Sequence, residues 1–229
     1  MTKLGKPLTS QEIRRQRQQE AFTGREDHLD LFRRQLALAG DDPQRRFVLS
    51  IYGQGGVGKT TLLRQFRRVA GSERALIALT DHNERSVPET MARLAAELAE
   101  SGGPSATLAF SPFTERHATY LKRRGELEAD PDAPRGLAGF VGHAAVRLGA
   151  KALRNTVPGS DLALDLIEGP LAEQAGLWAE FVSRKLGNRD EVRLVLEPAA
   201  VLTPLFVNGL NELAAAQRVV LLFDTYENT

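Results

Sequence analysis

One segment constrains this chain more than any other: Gly53-Gln54-Gly55-Gly56-Val57-Gly58-Lys59-Thr60, followed by Thr61. Glycines at this spacing let successive backbone N–H groups turn inward on a phosphate without interference from Cβ atoms. A helix leaving such a loop adds its positive N-terminal end. The pattern G-x-x-x-x-G-K-[ST] carries this meaning when it follows a strand and opens a helix. Phe47–Tyr52 is a short apolar run that predicts the strand. Thr60–Ala70 places Leu62, Phe66 and Val69 on one side before Gly71, which predicts the helix. In that setting Lys59 reaches the β- and γ-phosphates of a nucleotide, and Thr60 puts its hydroxyl on Mg²⁺.

Two further strands are expected. Ala75–Leu79 reads as a buried strand, and Val219–Phe223 is fully apolar, which suits a strand buried on both faces of a parallel sheet. The second of these delivers Asp224 at its C-terminal edge, where ligands of open parallel sheets bind. Asp224 is thus the candidate to hold magnesium through a water, and Glu227 the candidate to orient or deprotonate an attacking water. Upstream of the loop, Thr23 and Glu26 have capping-box spacing, and Leu29, Phe32 and Leu36 share one face of a helix predicted over about Arg25–Ala39, stopped by Gly40 and Pro43.

Between the second and third strands the pattern is helical. Breaks at Gly102–Pro104, Pro131–Gly136, Pro158–Gly159, Gly169–Pro170 and Pro198 leave room for five or six helices. Ser86–Glu89 opens one with capping-box spacing, and Thr203 with Pro204 opens another as cap and first helical residue. Apolar faces around Trp178, Phe181 and Val182 predict burial. The most apolar stretch, Leu137–Leu153, carries His143, Arg147 and Lys151 along one stripe and reads as a packed helix, not a membrane span. A stretch this long is too long for one crossover and reads as a helical insertion.

Composition narrows the partners. The 30 basic and 29 acidic residues nearly cancel, which gives no global attraction to nucleic acid or anionic lipid. Cysteine is absent, excluding disulfides and thiolate metal sites and fitting a reducing cytoplasm. His28, His82, His117 and His143 lack ligand-like spacing. Residues 1–22 form a polar lead-in with no secretory h-region.

Three segments together resemble the STAND class of signalling NTPases, related to NACHT and NB-ARC proteins and more distantly to AAA+ proteins. They are Phe22-Thr23-Gly24-Arg25-Glu26 with Leu29, the glycine-rich loop with Thr60-Thr61, and the Asp224-x-x-Glu227 ending of the third strand. The resemblance covers about 25–80 and 203–229 and leaves the helical middle aside. It implies an α/β, three-layer P-loop sandwich with a parallel sheet, split into 23–85 and 201–229 by the insertion at 86–200. It implies ATP or ADP with Mg²⁺ as cofactors, adenine contacts at Phe22, Gly24 and Arg25, and a cytoplasmic switch that couples slow hydrolysis to a change of conformation or self-association.

The same resemblance implies a further strand between the phosphate-loop strand and the Val219–Phe223 strand. On this reading the three strands stand apart in an incomplete sheet, and the chain is one piece of a longer protein with further domains. Other readings of the loop are a nucleotide-binding assembly module that scarcely hydrolyses, an AAA+-type remodeller of nucleic acid, a GTPase and a small-molecule kinase. The remodeller is disfavoured by the lack of a basic stripe interleaved with aromatics. The guanine-reading Asn-Lys-x-Asp pattern is not found, and no acceptor pocket can be located for a kinase.

Overall fold

The computed structural model describes residues 25–81, 86–134 and 170–224, and the chain divides into two units at Ala75/Leu76. Each unit is built differently.

In the first unit, α1 (Glu26–Ala37) and α2 (Lys59–Ser72) are amphipathic helices that bury Phe32 and Leu36 on one side and Leu62, Phe66, Val69 and Ala70 on the other. Phe32 and Phe66 stack with ring centroids 4.3 Å apart and planes 16° from parallel. Such a pair is worth about 0.5–1.5 kcal/mol beyond the area it buries. The N-cap of α1 is Arg25, with no capping side chain, so the helix starts later than a cap at Thr23 would place it. Thr23 itself lies outside the described residues.

The expected strand at Phe47–Tyr52 is not formed. Phe47, Val48 and Tyr52 are 77%, 80% and 92% exposed, and the backbone there is irregular. An apolar run becomes a strand only by pairing, and the sheet among the described residues consists of two other segments.

Those segments lie in the second unit. β1 (Leu76–Thr80) and β2 (Val219–Phe223) pair directly and in parallel, with Leu76 opposite Val219 and Thr80 opposite Phe223. The two strands expected to stand apart are therefore neighbours. Between them run α3 (Val87–Ala109), α4 (Ser111–Glu128), α5 (Pro170–Leu186), α6 (Arg189–Leu196) and α7 (Pro198–Ala216). Ser86 caps α3, its hydroxyl accepting from the Glu89 N–H at 3.4 Å. Gly103, at φ 69° and ψ −153°, interrupts α3, and Pro104 restarts it. Proline suits such a restart because the first turn needs no N–H.

The expected helix start at Thr203-Pro204 is corrected: α7 begins at Pro198 and runs through Pro204. A proline inside a helix costs about 3 kcal/mol. Full burial of a Leu or Phe side chain contributes about 1.5–3 kcal/mol, and Leu202 and Phe206, on either side of the solvent-facing Pro204, are both buried. Two such residues hold the helix together across the proline.

Phe206 stacks on Phe110 at 5.6 Å and meets Phe113 edge-on at 5.5 Å, so α7 closes over the junction of α3 and α4. Trp178, Phe181 and Val182 of α5 join the same core, as their pattern predicts. Arg123 of α4 bonds Glu191 of α6 at 2.9 Å, and Lys185 of α5 pairs with Asp130 at 2.7 Å. α7 has the length and apolar character of a membrane span, and it is the only such helix among the described residues. Its Leu202, Phe206 and Leu213 pack into the core, which is compatible with a soluble protein. Leu137–Leu153 lies outside the described residues.

Candidate functional site

The glycine-rich loop leads straight into α2. Gly58, at φ 85°, is the N-cap of that helix and brings no capping side chain. Gly56 also has positive φ, 82°, a conformation that non-glycine residues rarely take. A Cβ built on Gly55, Gly56 or Gly58 meets no atom within 4 Å, so the glycines border open space, not packed structure. Residues 53–57 are exposed. The first helical bond runs from the Leu62 N–H to the Gly58 carbonyl at 2.9 Å. The result is an exposed turn facing the positive end of a fourteen-residue helix.

Two cations grip the loop by its carbonyls. Lys59 Nζ folds back to the Gly53 oxygen at 2.7 Å, and the Arg25 guanidinium donates to the Val57 oxygen at 2.6 Å. Lys59 therefore already lies across the mouth of the turn. Thr60 and Thr61 are partly buried in the first turn of α2.

In the second unit, Asp224 directly follows β2, and its N–H donates to the Thr80 carbonyl at 2.9 Å. The ladder thus continues one step past the strand. Extending the register from Thr80–Phe223 sets Asp81 beside Asp224 at the C-terminal end of the sheet. Asp81 was not singled out from the sequence, although Leu79-Thr80-Asp81 repeats the strand-then-aspartate pattern of Leu222-Phe223-Asp224. Phe22, Gly24 and Glu227 lie outside the described residues.

The residues present fit the phosphates of a nucleoside triphosphate in one respect that this structure supplies. The cradle is open where a Cβ would close it, and a lysine and a helix N-terminus converge on it. Among the described residues no group of three or more His, Asp or Glu side chains could hold a metal alone. Magnesium at phosphate sites uses one or two protein ligands and draws the rest from phosphate and water.

No protein-family model, no curated protein and no solved structure matches this chain.

Proposed function

We propose that the chain is an ATP- and Mg²⁺-binding module of a STAND-type P-loop NTPase, a cytoplasmic switch whose nucleotide state governs conformation or self-association. The observation that carries the reading is the loop Gly53–Thr60: open above Gly55, Gly56 and Gly58, continuous with α2, and spanned by Lys59. The parallel pairing of β1 with β2, with Asp224 at the C-terminal end, supports it as well.

On this reading the N–H groups of Gly55 to Thr61 surround the β-phosphate, and Lys59 leaves the Gly53 carbonyl for the β- and γ-phosphate oxygens. Thr60 and Asp224 would hold magnesium, which neutralises charge on the phosphates. Phe22, Gly24 and the backbone of Arg25 would contact the adenine. Glu227 accepts a proton from the attacking water, the water oxygen bonds to the γ-phosphorus, and the bond to the bridging oxygen breaks. ADP and inorganic phosphate are the products.

The test is calorimetric titration of ATP and of GTP, each with Mg²⁺, into the wild-type chain and Lys59→Ala. Selective ATP binding that disappears in the variant and weakens on chelation of magnesium is the expected result. A folded wild-type chain that binds neither nucleotide, or a Lys59→Ala variant with unchanged affinity, sinks the assignment.

A further inference from the structure

The Arg25 guanidinium reaches thirty-two residues along the chain to the Val57 carbonyl, a contact that no local pattern requires. Its base is fixed. The Arg25 carbonyl accepts from the N–H groups of His28 and Leu29 at 3.1 and 3.2 Å, which ties the residue to the first turn of α1. α1 in turn is locked to α2 by the Phe32–Phe66 stack. The guanidinium is therefore presented to the loop by a braced helix, not by a wandering chain.

The chemistry of a trans peptide gives this contact a consequence. The carbonyl of one residue and the N–H of the next belong to one plane and point in opposite directions. Holding the Val57 oxygen on Arg25 turns the Gly58 N–H the other way. Gly58 has the positive φ that closes the turn, and a Cβ there would stand in open space. An oxygen facing a phosphate repels it, whereas an N–H binds it.

Resting on the nucleotide reading above, we infer that Arg25 is a positioning residue for the phosphate cradle: it pins the Val57–Gly58 peptide so that its N–H serves the phosphate. This role belongs to the side chain. It differs from a contact between the Phe22–Arg25 segment and the base, because it depends on the phosphates alone.

The experiment compares MgATP with magnesium tripolyphosphate, which has the phosphates and no base, on the wild type, Arg25→Met and Arg25→Lys. A hydrogen bond to a charged group contributes about 1.5–3 kcal/mol. The bond is already made without ligand, so Arg25→Met weakens binding only as far as it lowers the population of the cradle-competent peptide; the same factor for both ligands is expected, up to about tenfold. Arg25→Lys, which retains a charged donor, recovers most of the loss. Repeating the titrations at about 0.5 M salt separates orientation from long-range attraction, which is largely screened there. The factor is expected to persist.

A loss confined to MgATP overturns the inference in favour of a base contact. A loss that vanishes in salt, or no loss at all, overturns it too. Thermal melting of Arg25→Met confirms that the variant is folded, as expected for a half-buried side chain whose bond to Val57 is exposed. If the wild type binds neither ligand, the nucleotide reading fails and takes this inference with it. If the wild type binds and Lys59→Ala does not, failure of the Arg25 result leaves that reading standing.

Discussion

The Leu79 backbone N–H donates to the Glu97 carboxylate at 2.6 Å, so a side chain of α3 caps the edge of β1. In a parallel pair, alternate residues face the partner strand. Leu76 N–H bonds the Arg218 carbonyl and the Thr80 carbonyl accepts from Asp224, which leaves Leu79 pointing away from β2. Glu97 thus satisfies an outward-facing N–H on the edge of β1 away from β2.

Removing that carboxylate has a predictable cost. Glu97→Ala strands a partly buried donor, for about 1–3 kcal/mol, and exposes a strand edge that invites association. Glu97→Gln keeps an acceptor oxygen and is expected to lose less. Urea unfolding and sedimentation of the two variants check this; equal stability of all three proteins would show the contact to be dispensable.

Gly209 lies where α7 crosses the end of α3. A Cβ there would stand 2.7 Å from Phe110 Cδ1 and 2.9 Å from the Ala109 carbonyl oxygen. Gly209→Ala gains up to about 1 kcal/mol of helix propensity and loses about 1–3 kcal/mol to overpacking. A lower Tm is expected, whereas Asn208→Ala on the exposed side of α7 leaves Tm nearly unchanged. A rise in Tm for Gly209→Ala would mean that α7 shifts freely.

His117 sits on α4 between Phe113, with ring centroids 5.7 Å apart, and Tyr120, at 6.1 Å. Its Nε2 is buried without a hydrogen-bond partner. Burial lowers its pKa from the ordinary 6.5, with Glu89 pulling the other way. The unfolded chain therefore takes up this proton more readily than the folded one, and stability falls as pH drops below 6.5. From about one unit above that value His117 is neutral in both states and adds no pH dependence. The wild type is expected to lose more stability than His117→Phe between about pH 7.5 and pH 5.5 in urea unfolding. Equal losses would assign the slope to other groups.

How much of this was legible beforehand follows from the range of each signal. The amphipathic faces of α1 and α2, the loop that opens α2, the cap at Ser86 and the breaks at Gly103 and Pro198 are local, set by residues within a turn or two of each other. The strand predicted at Ala75–Leu79 forms one residue later, over Leu76–Thr80, and Val219–Phe223 is a strand over the residues predicted. Thr203-Pro204 misled because a cap-and-proline pair looks the same whether or not buried neighbours carry the helix through it.

The sequence by itself determined the glycine loop, its lysine and threonines, the helix that follows, and which segments are apolar enough to become strands. These depend on backbone freedom and side-chain periodicity, which each residue carries with it. Only the tertiary structure decided that β1 pairs directly with β2 across the helices between them, that Phe47–Tyr52 stays exposed, that Glu97 satisfies an N–H on the edge of β1, and that Arg25 holds Val57. Each of these is a choice of partner over a long stretch of chain. Periodicity says which face of an element is apolar or which backbone groups need partners, but what satisfies them is settled only when the chain is packed.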